Sequence, residues 1–365
     1  ESMKNSFGSQ IQCSLFGESH GQAIGIVIDG LAPGIALDMD FIQKQMGKRK
    51  AQGRISTARQ EADDVQIVSG YFNGYTTGTP LCVLLVNHDT KSKDYGKLKD
   101  LMRPGHADYT AQLKYLGFQD YRGGGHFSGR LTAPIVAAGA ICLQILQSKG
   151  IAIGSHILQL KEIVDLPFAE ERTILAEQIK TVNEKYFPVL EDVQGQKMIA
   201  CIESAQAAGD SVGGMIESAV LGLPGGIGEP FFDSVESILS HLLFSVPAVK
   251  GVEFGLGFGF ANLFGSQAND SFYFDPEGKV QTATNHNGGL NGGITNGMSL
   301  KVRTCIKPTP SIYQKQQTVN LHTQANEELQ IRGRHDPAII HRARVVIDSM
   351  LAIGLLDLLT VRFGT

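Results

Sequence analysis

Apolar residues recur along this chain with two periods, and each period predicts a different kind of secondary structure. Short runs of consecutive or alternating apolar residues are typical of strands, whereas a spacing of three or four is typical of helices. The strands predicted in this way cover 22–29, 65–68, 81–86, 151–158, 200–203, 213–221, 252–260 and 299–306. The predicted helices cover 39–50, 132–149, 170–187, 233–244 and 338–360. The last helix has few polar interruptions, so it is predicted to be buried.

Two of the predicted helices begin beside residues that commonly cap a helix N-terminus. Asp38 or Asp40 is predicted to cap the helix at 39–50, because a short carboxylate accepts from the free N–H groups of the first turn. Thr132 is predicted to cap the helix at 132–149 in the same way. Both helices are therefore expected to begin within a residue of these positions.

The order of the predicted elements indicates an α+β fold. Strands come partly in adjacent pairs and partly around helices, which favours antiparallel sheets layered with helices over a regular alternation of strand and helix. No Pro-, Gly- or Ser-rich linker divides the chain, so one domain is expected over residues 3–365, with the polar stretch 160–195 as a variable surface insertion. The first two residues are interpreted as a cloning remnant. Glycine-rich turns that feed apolar strands at 65–86 and 288–305 hint at an internal duplication.

Composition and charge narrow the class of protein. With 365 residues, 42% of them hydrophobic and 19% charged, the chain can bury a large core. A net charge of -4 argues against a general nucleic-acid or membrane surface, and no apolar run reaches the ~18 residues of a membrane span. The five cysteines form no C-x-x-C pair, which favours reduced thiols in a cytoplasmic protein. Four of them lie in apolar runs and are predicted to pack in the interior: Cys13, Cys82, Cys142 and Cys305.

Three polar segments flanked by glycine stand apart from the apolar pattern, and each contains a histidine. They are 16–21 (FGESHG), 103–108 (RPGHAD) and 333–337 (GRHDP). Histidine titrates near neutral pH and serves as a proton donor or acceptor, and loops are where a scaffold carries such groups. Convergence of the three segments would create a site for proton transfer.

Basic residues cluster beside these segments. The stretch 44–59 contains six basic residues and no acid. Its lysines are interpreted as a solvated helix end, whereas its arginines lie on or next to a loop. The arginines next to loops, glycine clusters or histidine motifs are Arg49, Arg54, Arg59, Arg103, Arg122, Arg130 and Arg334. Because a guanidinium binds carboxylate and phosphate through two parallel hydrogen bonds, these arginines predict a pocket for a multiply anionic small molecule.

Two further segments admit more than one interpretation. The sequence KPTPS at 307–311 follows a predicted strand and would suit a phosphate or the edge of a flavin, although it is also an ordinary loop sequence. In His335-Asp336, a carboxylate beside histidine and arginine can act as a base, but the same pair occurs in metal-dependent phosphohydrolases. His322 and His341 do not complete a convincing ligand set, so no metal is expected.

Together these segments resemble the chorismate synthases, from about residue 7 to residue 359. The matching motifs are FGESHG (16–21), TTGTP (76–80), RPGHADYT (103–110), DYRGGG (120–125), AVKGVEFG (248–255), the glycines of 287–293, KPTPSI (307–312) and GRHDP (333–337). The resemblance implies a β-α-β sandwich and an anti-1,4-elimination of phosphate from 5-enolpyruvylshikimate 3-phosphate. It also implies reduced FMN as a cofactor without net redox change, and a homotetramer.

The resemblance also implies roles for individual residues. His20 would protonate or stabilise the leaving phosphate, His106 would protonate or hydrogen-bond the reduced flavin, and Asp336 would accept the C6 proton together with flavin N5. The implied substrate contacts are Ser19, Arg49, Arg54, Arg122, Arg130 and Arg334. The implied flavin contacts are His126, Ser128, Ala248, Gly292, Lys307, Pro308, Thr309, Ser311 and Arg334.

The chain departs from the common family pattern on the flavin side. The commoner sequence after the triple glycine is R-S-S-A-R-E-T, whereas this chain has HFSGRLT at 126–132. Phe127 cannot hydrogen-bond a phosphate, and His126 either replaces the arginine charge or packs as a structural side chain. Pro247 stands in place of a common asparagine, and Ala338 in place of a common cysteine.

Two other enzyme classes share parts of this pattern. A flavoprotein oxidoreductase with a nicotinamide donor would consume NAD(P)H in proportion to a reduced product. A metal-dependent phosphohydrolase built on His335-Asp336 would lose activity with a chelator. Whether NAD(P)H serves this chain as an external reductant of the flavin stays open.

Overall fold

The computed structural model describes residues 4–57, 63–88, 96 and 98–364. Arg59 of the basic stretch lies outside the described residues. The strands are β1 (Ser6–Phe7), β2 (Gln12–Gly17), β3 (Ala23–Asp29), β4 (Gln66–Ser69), β5 (Tyr71–Phe72), β6 (Tyr75–Thr76), β7 (Leu81–Val86), β8 (Ala152–Leu160), β9 (Ile163–Val164), β10 (Gly214–Leu221), β11 (Val249–Phe254), β12 (Phe272–Phe274), β13 (Val280–Thr282), β14 (Leu290–Asn291), β15 (Ile294–Thr295), β16 (Leu300–Ile306), β17 (Gln316–Asn320) and β18 (Ala325–Leu329). The helices are α1 (Met39–Arg49), α2 (Asp108–Tyr115), α3 (Thr132–Ser148), α4 (Arg172–Asn183), α5 (Asp192–Ala207), α6 (Val235–Ser245), α7 (Gly265–Ala268) and α8 (Ile340–Phe363).

Two five-stranded antiparallel sheets lie on either side of a pair of central helices. Hydrogen-bonded neighbours run β1-β2-β3-β7-β4 in the first sheet and β11-β16-β10-β8-β9 in the second. The helices α3 and α8 pack against each other between the sheets, with α3 on β3 and β7 and α8 on β8 and β10. Nearly every residue of both helices is buried, because each has neighbours on all sides. The predicted α+β sandwich is confirmed.

The apolar character of α3 comes from this central position. The stretch Arg122–Ser148, which includes α3, is long and apolar enough to cross a membrane by length and composition alone. In the fold, 83% of its most apolar window is buried inside the protein, so it is a core helix. Cys142 on α3 is buried as predicted, whereas Cys305 is exposed on β16, which corrects the expectation that its thiol packs in the interior.

The second sheet and its helices repeat the chain order of the first. One series runs β2, β3, α1, β4, the β5–β6 hairpin, β7 and α3. The other runs β8, β10, α6, β11, the β14–β15 hairpin, β16 and α8. Within the sheets, the order β2-β3-β7-β4 corresponds to β8-β10-β16-β11. The segments inserted into the second series carry β9, α4 and α5, then β12 and β13, then β17 and β18.

One threonine in each hairpin makes the same hydrogen bonds. The Thr76 hydroxyl accepts from the backbone N–H of Ile35 at 2.9 Å, and the Thr295 hydroxyl accepts from the backbone N–H of Ile227 at 2.9 Å. Each threonine also donates its own N–H to the carbonyl of the same isoleucine. The internal duplication that the glycine-rich turns hinted at is therefore confirmed at the level of individual hydrogen bonds.

The segment 160–195 covers the second sheet on the face opposite α8. Side chains alternate across β8, so that Gly154 lies against Ile179 of α4 while Ser155 donates to Asp348 of α8. The apolar stripe of α4 forms a small core with the sheet. Its buried residues are Phe168, Leu175, Ile179, Val182 and Ala219.

Two strand predictions need correction. The stretch 200–203 lies inside α5 and is not a strand. Gly195 and Ile202 of α5 are buried at a helical spacing, and a four-residue apolar run is too short to reveal that period. The strand predicted over 252–260 is β11, which begins earlier, at Val249, and ends before Gly255, whose positive φ turns the chain away from the sheet.

The two predicted helix caps have different outcomes. Asp38 caps α1 as predicted, and its side chain accepts from the Phe41 N–H at 3.0 Å. Thr132 is instead the first residue of α3, and its hydroxyl donates to the Gly129 carbonyl at 2.7 Å. The threonine therefore ties the helix to the loop before it, and the prediction of a Thr132 cap was wrong.

Candidate functional site

A cavity of about 1100 Å³ opens between loops from both halves of the chain. Its lining includes residues of 103–108, 123–129, 245–249, 307–311 and 329–335. Two of the three histidine motifs, RPGHAD and GRHDP, therefore line the same cavity as the KPTPS segment. A concave space of this size with several polar groups is typical of a small-molecule site.

The motifs RPGHAD and KPTPS meet in direct contact at this cavity. His106 Nε2 lies 2.7 Å from Ser311 Oγ, and Lys307 Nζ donates to the Gly105 carbonyl at 2.7 Å. Gly105 has a φ of +77°, and a Cβ placed there would lie 2.7 Å from Cβ of Pro310. Glycine is required at position 105 because the two loops approach each other so closely.

His106 has a lowered pKa at this contact. Its pKa is lowered from 6.5 to about 4, first by burial and then by the positive charge of Arg103. Arg103 is itself held by Asp108, with Nε donating to Oδ2 at 2.8 Å. The His106 imidazole is therefore neutral near pH 7, with one N–H and one acceptor nitrogen.

The backbone around Ala248 and the KPTPS segment forms one edge of the cavity. Ala248 has a φ of +75°, a conformation that non-glycine residues adopt at some energetic cost and that occurs often at functional sites. Its carbonyl accepts from the Lys307 N–H at 2.9 Å. The Thr309 hydroxyl is buried at the cavity and has no hydrogen-bond partner among the described residues. Buried hydroxyls are normally hydrogen-bonded, so this one can donate to or accept from a bound molecule.

His20 lies beneath the cavity wall, packed on the triple glycine. Its Nδ1 lies 3.0 Å from Ser19 Oγ, and both residues are buried. A Cβ placed on Gly123 would lie 2.2 Å from Cε1 of His20. Gly123 also has a positive φ, as do the two glycines that follow it, so only glycine allows the histidine to lie here.

Asn87 joins the FGESHG loop to one of the arginines. Its side-chain amide donates to the carbonyls of Glu18 at 3.0 Å and Gly21 at 2.9 Å. Its Oδ1 accepts from Arg130 Nε at 3.4 Å. The asparagine therefore fixes both ends of the loop that presents His20.

Four of the arginines predicted to bind an anion are paired with carboxylates, and one of them is Arg103 with Asp108. Arg122 donates twice to Asp120, with Nε and Nη2 each 2.8 Å from a carboxylate oxygen, and these hydrogen bonds lower the pKa of Asp120. Arg49 and Arg130 both donate to Asp63, whose side chain is fully buried. Two guanidinium groups are therefore held side by side by one carboxylate.

Asp336 is hydrogen-bonded at both carboxylate oxygens. The Thr57 backbone N–H donates to Oδ1 at 2.6 Å, and Arg342 Nη1 donates to Oδ2 at 2.8 Å. Arg342 also donates from Nε to the Arg49 carbonyl at 2.7 Å. The GRHDP loop is thereby tied to the chain segment that follows α1.

Comparison with known proteins identifies the family of this chain. A family model described as chorismate synthase matches residues 11–360. The chain belongs to the chorismate synthase family. The chorismate synthase of Pyrococcus abyssi is 45% identical and covers 97% of both chains, and that of Chitinophaga pinensis is 46% identical over 97% of this chain and 96% of the relative. A crystal structure of a chorismate synthase matches with a TM-score of 0.77 and 26% identity, covering 98% of this chain and 94% of the other.

The residues expected from the family motifs fall into two groups in the structure. Those that line the cavity are His106, His126, Ser128, Ala248, Lys307, Thr309, Ser311 and Arg334. Those that lie outside its lining are Ser19, His20, Arg49, Arg54, Arg122, Arg130, Gly292, Pro308 and Asp336. Within the second group, Gly292 lies in the turn between β14 and β15. The implied flavin contacts thus gather at the cavity far more completely than the implied substrate contacts.

Two of the arginines expected in a chorismate synthase site are exposed. Arg54 lies on the loop after α1, and Arg334 lines the cavity. Within the part of the chain that the structure describes, neither guanidinium has a hydrogen bond or ion pair. These two side chains are available to an incoming anion without breaking an existing pair.

His126 and Phe127, where the chain departs from the family pattern, have different surroundings. His126 lines the cavity, but Nδ1 lies 2.6 Å from the Gly17 carbonyl and Nε2 lies 3.0 Å from Asn5 Oδ1. Both ring nitrogens are thus used to join β2 to the N-terminal segment. Phe127 is 45% exposed at the cavity and packs against the ring of Tyr115. The structure favours the packed interpretation of His126 over replacement of the arginine charge.

Four polar residues of the site were not predicted from the sequence. They are Asp63, Asn87, Asp120 and Arg342. Asp120 lies inside the DYRGGG motif and Asn87 directly follows a predicted strand, so their positions in the sequence could have marked both as candidate site residues. Asp63 and Arg342 had no such signal, because no motif in their own segments marks either residue. No group of three or more metal-ligating side chains occurs among the residues described.

Proposed function

We propose that this protein converts 5-enolpyruvylshikimate 3-phosphate into chorismate and phosphate in the shikimate pathway, with reduced FMN as the cofactor. The observation that carries the proposal is the meeting of His106, Ser311 and Lys307 at one cavity in a chain of this family. The substrate bears one phosphate and two carboxylates, which suits the arginines around the site.

The reaction balances without an external oxidant or reductant. The C6–H bond breaks, and its electron pair forms the C1=C6 bond. The C1=C2 electrons move to C2=C3, and the C3–O bond breaks with its electrons leaving on phosphate. Reduced FMN, when bound, supplies electron density transiently as the phosphate departs. The protein has to bind both molecules, hold the leaving group and accept one proton.

The cavity residues fit an FMN molecule. Lys307 and Arg334 place two positive charges at the cavity, and a flavin phosphate needs such partners. The unpaired Thr309 hydroxyl and the Ser128 hydroxyl provide further donors. The remaining implied contacts are the backbone or side chains of Ala248, Gly292, Pro308 and Ser311. The apolar lining includes Phe127, which offers a ring face to a planar ligand.

We assign the acid–base work to three side chains. His106, neutral near pH 7, hydrogen-bonds the reduced flavin, since its lowered pKa makes it a poor source of a whole proton. His20 stabilises the departing phosphate with Arg122 and Arg130 nearby. Asp336 accepts the C6 proton. Ser19, Arg49, Arg54 and Arg334 complete the set of substrate contacts.

We also infer that the working enzyme is a cytoplasmic homotetramer without a nucleic-acid or membrane partner. Several exposed phenylalanine side chains support association of the subunits, because phenylalanines in contact with water are unfavourable in a monomer. They include Phe231, Phe232, Phe258, Phe264, Phe272 and Phe274. One continuous hydrophobic core joins residues from both halves, which supports a single domain over residues 3–365.

The experiment compares three reaction mixtures under strict anaerobiosis. Purified protein with substrate and photoreduced FMN is expected to release phosphate and form chorismate, with or without EDTA. The same protein with oxidised FMN is expected to release none. Adding NAD(P)H to oxidised FMN shows whether the protein reduces its own flavin. No phosphate in the first mixture contradicts the proposed function, and loss of activity with EDTA favours a metal-dependent phosphohydrolase.

A further inference from the structure

The carboxylate proposed to accept the C6 proton is held from two directions. Its Oδ1 accepts from the Thr57 N–H on the loop after α1, and its Oδ2 accepts from Arg342 in the first turn of α8. The side chains of Asp336 and Arg342 are each only 16% exposed. Because water has little access to this ion pair, its hydrogen bonds fix the orientation of the carboxylate.

Arg342 connects this carboxylate to the arginine proposed to bind substrate. Its Nε donates to the backbone carbonyl of Arg49, the last residue of α1, at 2.7 Å. The Arg49 side chain then donates to Thr132 Oγ1 at 2.8 Å and to Asp63. One guanidinium plane therefore sets the position of the proton acceptor relative to α1 and α3.

Only arginine can make both bonds at once. Nε and Nη1 of a guanidinium diverge in one rigid plane, whereas lysine presents a single nitrogen. A neutral side chain at position 342 could make at most one of the two bonds and would remove the ion pair with Asp336. The carboxylate would then be free to rotate about its side-chain bonds.

We propose that Arg342 is a positioning residue that orients Asp336 for removal of the C6 proton. The inference rests on the proposed function, since it assigns a role within that reaction. In the step concerned, the C6–H bond breaks, the proton passes to a carboxylate oxygen of Asp336, and Arg342 keeps its own protons and charge. Arg342 does not touch the substrate, so its loss slows proton removal more than it weakens substrate binding.

The test compares Arg342→Gln, Arg342→Lys and the control Arg362→Gln with the unchanged protein, all with reduced FMN. Arg362 lies near the other end of the same helix and is exposed. We expect Arg342→Gln to lower kcat about 100-fold, the effect of a misplaced catalytic group, with KM changed less than threefold. Arg342→Lys, which keeps the charge but only one bond, should recover part of the lost rate. Arg362→Gln should match the unchanged protein.

A second measurement separates positioning from general damage. With substrate deuterated at C6, the isotope effect on kcat should be larger in Arg342→Gln than in the unchanged protein, because C–H cleavage becomes more rate-limiting. An unchanged kcat, or a loss confined to KM, overturns the inference. If Arg342→Gln does not fold, Arg342→Lys decides by the same two measurements. An inactive unchanged protein would instead contradict the proposed function itself.

Discussion

His106 and Ser311 are 205 residues apart in the chain, yet His106 Nε2 lies 2.7 Å from Ser311 Oγ. The contact joins a loop of the first half of the duplicated fold to a loop that leaves the last strand of the second half. Neither half could form this cavity alone. The duplication therefore creates the site at the meeting of two related halves, and the loops inserted after β7 and β16 carry its chemistry.

Removing the Ser311 hydroxyl should disturb the flavin before it disturbs the substrate. In Ser311→Ala, His106 loses the partner that fixes its ring, so we expect reduced FMN to bind about 2–13-fold more weakly, the scale of one hydrogen bond. His106→Ala should have a larger effect on the same step. Anaerobic titration of reduced FMN followed by its absorbance gives both affinities. Normal flavin affinity in both variants would contradict the assignment.

Asp63 should matter for both stability and substrate affinity. Its fully buried carboxylate accepts from Arg49 and Arg130, so Asp63→Asn removes the negative charge that these two buried guanidinium groups share. Breaking a buried pair in this way costs about 3–5 kcal/mol, which predicts a lower Tm and a raised KM. Asp64→Asn is the matched control, because the adjacent carboxylate is exposed. Equal Tm values for the two variants would show that Asp63 does not hold the arginines.

A methyl group on Gly123 should displace His20 without unfolding the protein. The added Cβ would lie 2.2 Å from Cε1 of His20, so Gly123→Ala is expected to reduce phosphate release by about 100-fold, as for a misplaced catalytic group. Gly74→Ala is the control for backbone strain, since Gly74 also has a positive φ but nothing within 4 Å of the added Cβ. The measurement is kcat for phosphate release in both variants. Similar losses would assign the effect to strain and not to His20.

His341 should make the fold sensitive to acid. Burial, followed by the charges of Arg342 and Arg344, lowers the pKa of His341 from 6.5 to about 3. The folded protein keeps this imidazole neutral, so the unfolded chain binds the extra proton between pH 6.5 and about 3. Its contribution to stability is complete above pH 6.5 and is lost as the pH falls, by about 1.4 kcal/mol per pH unit.

Denaturant unfolding at several pH values tests this expectation. His341→Gln should flatten the acid side of the stability profile relative to the unchanged protein. His88→Gln, at an exposed histidine, should leave the profile unchanged. A His341→Gln profile parallel to that of the unchanged protein would mean that another group controls the acid sensitivity.

The spacing of apolar residues predicted the helices and strands of the core. It did not reveal the polar contacts that form only in the folded chain. The helix at 338–360 was predictable because its apolar residues cover every face. The stretch 200–203 was mistaken for a strand because four residues cannot reveal a helical period. Arg342 sits in that apolar helix with no local feature to mark it. Its partners Asp336 and Arg49 become visible only when the chain is folded.

Motifs predicted the cavity better than they predicted the arginine arrangement. The KPTPS and RPGHAD segments line one cavity, where the hydroxyls and lysine of the first lie beside the histidine of the second. The sequence could not show that Arg49 and Arg130 share Asp63, since the order of residues does not reveal which acid approaches which base. The sequence of residues 126–127 marked a departure from the family, and only the structure gave His126 its partners.

The most direct test of the account is the ratio of chorismate formed to flavin oxidised. The protein, with one equivalent of photoreduced FMN and a large excess of 5-enolpyruvylshikimate 3-phosphate, is followed anaerobically by absorbance. We predict that all the substrate becomes chorismate and phosphate while the flavin ends in its reduced form. Conversion that stops at one equivalent, with the flavin oxidised, would contradict an elimination without net redox change.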